Sequence, residues 1–356
     1  MKFTLPISPT YCEHWGLWEA VREIYQNALD EGGARLTYDR FDDYLVISSA
    51  TGHLTYDSLV LGATSKRDIP SLRGKFGEGY KLALVVLARL GFRVTIHTGT
   101  EIWTPKLEHD DTFNATILNI YTETAEPDEE PGTGVQFRIE GITAEQYDLI
   151  QSKIRPNPNE PETILDEPSQ EGRVFVGGLY VATVKGFKCG YSFQPGGVKL
   201  DRDRGMVEGF DLAWQTSKLW TDAGHSERLS ELLEAEAPDV EYVESHVSEE
   251  STLARDHATY FVSRHGADAV PVSNQTEIQR ATAAGIKWVL VPEKVQAMLR
   301  LVKSWFIPTT QSPAERLREF QARYQYSLPT AGRKALEEII QSLEPRSDHG
   351  KTHSSN

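Results

Sequence analysis

The sequence predicts an α/β chain of the α+β kind. Segments with the 3.6-residue helical period interleave with segments that alternate every second residue. Glycine, proline and acidic clusters punctuate them. The chain has 356 residues, 39% hydrophobic and 25% charged, an ordinary globular composition. At about 150 residues per domain, that length holds two or three domains with their own cores.

The first element is a helix over Trp15–Asp30. Its apolar residues Leu17, Val21, Ile24, Tyr25, Ala28 and Leu29 fall near the helical period, and Gly32 and Gly33 stop it. Residues 34–39 and 44–48 alternate like a strand pair around the polar turn Asp39–Asp43. A glycine- and charge-rich stretch runs from Gly62 to Gly79, and Tyr80–Leu90 follows as an apolar, buried helix. Strands are expected at 92–98, 113–121 and 134–140, with the acidic loop Thr122–Gly134 between the last two. Residues 144–155 read as a helix, the proline-rich 156–168 as a linker, and 173–184 as a strand. Residues 225–256 hold ten Asp or Glu against two Arg and read as a solvated helix and linker. Beyond them, strand 258–264, helix 274–285, strand 286–292 and a helix to about Phe306 suggest a small α/β unit. Pro313–Leu343 reads as one or two helices, and no internal repeat is visible.

Several function classes are excluded at once. Two cysteines, Cys12 and Cys189, exclude a disulfide-rich scaffold and a multi-cysteine zinc site. The longest apolar run, Leu82–Ala88, is far short of a membrane span, so no membrane partner is expected. The opening MKFTLPISPT has no apolar signal core, and the expected location is cytoplasmic. The formal charge, 37 − 52 = −15, argues against a chain coated in positive charge for gripping nucleic acid, though not against a local basic groove.

Three pieces carry chemistry. On the first helix, Glu23, Asn27 and Asp30 are spaced four and three residues apart and share one face. A carboxylate one turn from a carboxamide suits a hydrated magnesium ion, with Asn27 as an oxygen ligand and the carboxylate handling a water. The same spacing also suits a solvated polar face. The second piece, Gly74-Lys-Phe-Gly77-Glu-Gly79-Tyr-Lys81, runs into the apolar helix. Glycines at such a junction let backbone N–H groups approach an anion, and Lys75 and Lys81 add cations. A flexible hinge has the same composition. The third piece, Gly132-Thr133-Gly134-Val135, enters a strand, where a threonine hydroxyl can meet a buried ligand or simply make a turn.

In this order the three pieces resemble the GHKL ATPase superfamily: gyrase-type topoisomerases, MutL, heat-shock chaperones and histidine kinases. Glu23, Asn27 and Asp30 match the N-box E-x-x-x-N-x-x-D of its hydrolysing members, and Gly74, Gly77 and Gly79 match the second glycine box, G-x-x-G-x-G. Leu61-Gly-Ala-Thr64-Ser65-Lys66 resembles the start of the ATP lid in MutL-like members, and Thr133 matches a threonine that contacts adenine. The resemblance covers residues 10–140. It implies a Bergerat-type sandwich of a mixed sheet and helices, with ATP and Mg2+ as cofactors. It further implies that Asn27 holds magnesium on the phosphates, that Gly77, Gly79 and the helix near Lys81 cradle them, and that Glu23 activates water. Histidine kinases usually lack this glutamate. One box departs from the pattern. The family's D-x-G-x-G is here Ser48-Ser49-Ala50-Thr51-Gly52, so only Gly52 survives. Ser48 or Ser49 stands where an aspartate would hold the adenine amino group, and a serine accepts a hydrogen bond without the charge.

The next region resembles the transducer domain that follows many GHKL domains and supplies a basic residue to the γ-phosphate. Arg204, then Arg202 and Lys199, are the candidates, although Asp201, Arg202, Asp203 and Arg204 also read as a surface ion-pair cluster. The expected division is a nucleotide-binding domain over 1–143, a transducer-like α/β domain over 144–235, a C-terminal α/β and helical region over 236–345 and a disordered tail over 346–356. The resemblance implies an ATPase whose lid and domains move with nucleotide state, an ATP-dependent homodimer and a further protein partner. Standalone proteins of this kind occur in phages. The alternatives are a non-hydrolysing interaction module on the same fold and a MutL- or topoisomerase-like DNA-handling ATPase.

Overall fold

The computed structural model describes residues 1–60, 78–125, 134–200, 209–224, 226–248, 251–302, 313–324 and 328–343. The chain forms two compact units, Met1–Ala223 with Ala235–His246, and Gly224–Glu234 with Val247–Asn356. It is a mixed helix-and-strand protein with one large antiparallel sheet.

That sheet lies in the first unit. Its elements are β1 (Lys2–Leu5), α1 (Leu17–Asp30), β2 (Ala34–Asp39), β3 (Tyr44–Ser49), α2 (Gly79–Arg89), β4 (Arg93–Thr98), β5 (Glu101–Asp110), β6 (Ala115–Thr124) and β7 (Val135–Glu140). The strand order is β1-β6-β5-β4-β7-β3-β2. Every neighbouring pair is antiparallel, which corrects the expected mixed sheet. One face is apolar and buried: Leu45, Ile47, Val94, Ile96, Trp103, Leu118, Ile120, Phe137 and Ile139 share a core with Val21 and Ile24 of α1 and Ala83, Leu84 and Leu87 of α2. Many alternate residues, Arg35, Gln136 and Arg93 among them, face water, although Ile117 and Asn119 of β6 are buried on that side too. An antiparallel sheet tolerates this one-sided burial, and the two-residue alternation imposes it. Each fully buried Ile or Leu of the core contributes roughly 1.5–3 kcal/mol.

Two strands of this sheet escaped the sequence pattern. β1 is only four residues long. β5 contains Pro105, which argues against a central strand. The register removes the conflict: β4 pairs with β5 only at Glu101–Trp103, so at Pro105 only β6 is registered as a neighbour.

The first unit continues with α3 (Ala144–Ser152), β8 (Thr163–Leu165), β9 (Arg173–Val176), β10 (Leu179–Thr183) and β11 (Gly190–Phe193). α3 begins in a capping box, with Thr143 Oγ1 accepting from Gln146 N at 3.3 Å and Gln146 Oε1 from Thr143 N at 2.9 Å. The second sheet runs β10-β9-β11-β8, with β9 and β11 parallel. The single strand expected over 173–184 is a hairpin, because Gly177 and Gly178 take φ values of +57° and +80° and turn the chain.

Then come α4 (Gly209–Ala223), α5 (Glu227–Glu234) and α6 (Val243–His246), with α5 in the second unit. The acidic run is not solvated throughout. Asp239 is fully buried and accepts from Lys188 N at 2.9 Å, Cys189 N at 3.0 Å and the Tyr191 hydroxyl at 2.7 Å. Trp220 Nε1 donates to the Tyr191 hydroxyl at 3.0 Å. Burial and the Asp239 charge push the Tyr191 pKa far above the usual phenol range.

The second unit holds α7 (Thr252–His265), β12 (Val270–Val272), α8 (Gln275–Ala283), β13 (Trp288–Leu290), α9 (Glu293–Val302), α10 (Pro313–Tyr324) and α11 (Thr330–Leu343). Residues 258–264, expected as a strand, lie in α7. The buried side chains Leu253, Ala254, His257, Ala258 and Phe261 recur at helical spacing and outweigh the β-prone run Thr-Tyr-Phe-Val. β12 and β13 are parallel, joined through α8. The last expected region forms two helices, α10 and α11. Among the described residues no helix is long and apolar enough to cross a membrane.

Candidate functional site

α1 and α2 lie side by side on the apolar face of the large sheet, and two of the three sequence pieces meet between them. Glu23 is 8% exposed on the inward side of α1. Its Oε1 accepts from Arg22 Nη2 at 3.3 Å. Its Oε2 lies against the α-carbon of Gly79, the first residue of α2, where a β-carbon would overlap it. Glycine is therefore required at 79 as long as the carboxylate keeps its place. α2 has no side-chain cap at its N-terminal position Glu78, so the positive end of the helix dipole faces this carboxylate without one. Arg22, 3% exposed, places its guanidinium 5.9 Å from the Trp15 ring centre.

Asn27 and Asp30 continue the same helix and are half-buried. The Asn27 carboxamide makes no hydrogen bond with the described residues. No three His, Cys, Asp or Glu side chains among the described residues form a metal cluster. The donor set thus fits a magnesium ion only as one protein oxygen, Asn27 Oδ1, added to an ion already carried on phosphate oxygens. That is a common way for magnesium to bind.

Lys81 has a different task from the one its motif suggests. It is fully buried, and its ammonium donates to the carbonyls of Ser58 at 2.7 Å and Val60 at 2.6 Å. Tyr80 reinforces this turn by donating to Ser58 O at 2.8 Å. Desolvation pulls the Lys81 pKa down to about 8, against the opposing charge of Glu78. The cation is spent on the chain's own backbone.

The two serines separate cleanly. Along β3, Leu45, Ile47 and Ser49 share the helix-covered face, while Tyr44, Val46 and Ser48 share the other. Ser49 Oγ donates to Thr51 O at 2.6 Å and accepts from Val135 N at 3.0 Å, tying the end of β3 to the start of β7. A β-carbon on Gly134 would overlap the Ser49 carbonyl, which explains the glycine before Val135 as a close backbone approach. An adenine amino group would find one remaining lone pair on Ser49 Oγ and no negative charge on that side chain. Gly52, with φ +104°, lets the turn after β3 pass Glu31, and Thr51 N and Oγ1 both donate to Glu31 O.

Glu23, Asn27, Asp30 and Gly79 are thus brought to one helix pair, and Ser49 and Gly52 to the adjoining strand end. Thr64, Ser65, Lys66, Gly74, Lys75, Gly77, Thr133, Arg202 and Arg204 lie outside the described residues. Lys199 is described at its backbone, where its N–H donates to Asp211 Oδ2 at 2.7 Å. The sequence pattern missed Arg22 as the partner of Glu23. Its one signal was position, four residues after Trp18 on the buried stripe of α1.

No protein-family model matches this chain, and no curated protein matches it.

Proposed function

We propose that the first unit is a GHKL-type, Mg2+-dependent ATP-binding module of Bergerat architecture that hydrolyses ATP. The observation that carries this reading is the Glu23 carboxylate, nearly buried and held among the described residues by Arg22 alone, against Gly79 at the uncapped start of α2. A helix N-terminus favours phosphate, and a carboxylate beside it is positioned to take a proton from an attacking water. Asn27 would supply one oxygen to magnesium, which neutralises phosphate charge when bound. Arg22 orients Glu23 through Oε1 and leaves Oε2 for the water. Arg204 remains the proposed γ-phosphate contact. Closure of the segment before α2 over bound nucleotide, and dimerisation with it, are part of the proposal.

The test is Mg2+-dependent hydrolysis of ATP and GTP by the full chain beside Glu23→Gln, with binding of a non-hydrolysable analogue measured in parallel. Turnover is expected to fall by about 100-fold or more in Glu23→Gln while the analogue still binds. Absence of both turnover and binding at millimolar nucleotide would overturn the proposal. A second reading, a GHKL fold that binds a partner without turnover, is favoured by one observation: the Ser49 hydroxyl already ties β3 to β7 and offers a base only one uncharged lone pair. It predicts that wild type and Glu23→Gln behave alike in the same assay.

A further inference from the structure

The two ends of the large sheet are finished differently. One end strand, β1, has four residues, carries Lys2 and is followed by Pro6. Short strands, lysine and proline discourage another strand from pairing with an edge. In the second sheet, the end strand β8 has three residues, and the end strand β10 shifts register between Tyr180 and Ala182. The other end of the large sheet, β2, has none of these devices. Its six residues, Ala-Arg-Leu-Thr-Tyr-Asp, contain no proline or lysine. They pair with β3 without a break, from Ala34 opposite Ser49 to Asp39 opposite Tyr44.

The register says which groups this edge offers. Ala50 N donates to Gly33 O at 3.0 Å, so these two residues face each other as a hydrogen-bonded pair. Parity then turns the N–H and C=O groups of Arg35, Thr37 and Asp39 towards β3, and those of Ala34, Leu36 and Tyr38 away from it. Among the described residues none takes a backbone hydrogen bond from this open side. The side chains of Arg35, Thr37 and Asp39 share the sheet face opposite the helices. Arg35 and Thr37 are exposed, and Arg35 has no ion pair or hydrogen bond with any described residue. Asp39 Oδ1 accepts from Phe41 N at 2.8 Å and Asp42 N at 3.2 Å. Those bonds fix the carboxylate at the end of the strand and hold its pKa below the usual carboxylate range.

We propose that β2 pairs antiparallel with β2 of a second copy of this chain, about a two-fold axis at Thr37, joining the two large sheets edge to edge. Outward-facing residues must meet outward-facing residues. This axis sets Leu36 opposite the partner's Tyr38 and Tyr38 opposite the partner's Leu36, each pair exchanging N–H and C=O bonds. Between them lie the closely spaced pairs, with β-carbons about 4.5–5.5 Å apart. There Arg35 meets the partner's Asp39, Asp39 meets the partner's Arg35, and Thr37 meets the partner's Thr37. Opposite charges and paired threonines are both favourable across strands. The strand is thus complementary to itself about its own middle, as a two-fold interface requires, and this selects a second copy as the occupant. An axis at Leu36 would keep backbone bonds but set Arg35 against the partner's Thr37, losing both charge pairs.

The full chain is tested without nucleotide or magnesium, so the outcome is independent of ATP binding and of any dimer that nucleotide closes. Mass is read by sedimentation over a concentration series for wild type, Arg35→Glu, Thr37→Lys and Arg93→Glu, the last changing an exposed arginine of β4 on the same face. Circular dichroism of each variant checks that it folds. Wild type is expected to form dimers. Arg35→Glu turns both charge pairs into like charges, and Thr37→Lys sets two ammonium groups together at the axis. Each is expected to raise the dimer dissociation constant about tenfold, whereas Arg93→Glu should leave it unchanged. Thr37→Cys reads the register: mild oxidation should join two copies covalently. Wild type, whose Cys12 is half-buried and Cys189 buried, should not be joined under the same conditions. A wild type that stays monomeric at high micromolar concentration leaves the edge to a strand from another protein and overturns the proposal. So does a dimer that Arg35→Glu and Thr37→Lys leave intact, or one that Thr37→Cys fails to cross-link.

Discussion

Two seams of the first unit each bury a carboxylate, and they treat it in opposite ways. At the seam of β11 with the turn at 238–240, Asp239 is 0% exposed and its oxygens accept from two backbone N–H groups and a tyrosine. At the α1–α2 seam, Glu23 is nearly as buried, at 8%, but Arg22 is its one hydrogen-bond donor among the described residues. A saturated buried carboxylate holds parts of a fold together. One with a single donor among the described residues, beside a helix N-terminus, is placed to offer lone pairs to another molecule. Burial alone does not separate the two cases, whereas the count of donors does.

The sharpest way to break the comparison is to remove each carboxylate. Asp239→Ala strands Lys188 N, Cys189 N and the Tyr191 hydroxyl in the core and is expected to cost about 3–5 kcal/mol in urea unfolding. If Asp239→Ala were nearly silent, the saturated network would not be structural and the contrast would fall. A finer test uses Gly79. Gly79→Ala pushes the new methyl into Glu23 Oε2 and is expected to cost about 1–2 kcal/mol. In a Glu23→Ala background the same substitution should stabilise by about 0.5–1 kcal/mol, because alanine is the better helix former once the carboxylate is gone. A double-mutant cycle reads that change of sign as coupling between the two residues. Equal effects in both backgrounds would show that Glu23 does not rest on Gly79.

Much of the large sheet was legible because burial on one face writes a period of two into its strands, and α1 and α2 were legible by their apolar stripes. Pro105 concealed β5, since no local pattern reveals that a strand has lost its neighbour on one side. The β-prone run at 258–264 concealed α7, whose helix depends on tertiary burial of Phe261 and His257. At the site, Glu23 and Gly79 were legible as motif positions, but their contact was not. The choice of Ser49 over Ser48 follows from parity along β3 once its buried face is known. Asp239 was illegible: inside a run of acidic residues nothing local distinguishes the buried one. Lys153 and Trp18 are 135 positions apart in the chain, and only the tertiary fold places the ammonium over the indole.

Lys81 sharpens the comparison from the cationic side, with the smallest expected effect. It resembles Asp239 in being fully buried and committed to its own backbone, yet it lies in the motif that leads into α2. Its folded pKa, about 8, lies below the 10.5 of an unperturbed lysine. Below pH 8 the folded and unfolded chains both carry the charge, and the folded chain bears the desolvation cost. Between about 8 and 10.5 the unfolded chain holds a proton that the folded chain has released, so this group's contribution to stability rises with pH across that window. Lys81→Met removes the titration while keeping most of the volume. The stability gained by wild type between pH 8 and 9 should therefore exceed that of the variant by about 1 kcal/mol, read as the difference of their urea midpoints at each pH. The two profiles running parallel would mean that the ammonium is better compensated than its burial implies, and that Lys81 belongs with Asp239 as a fully satisfied group.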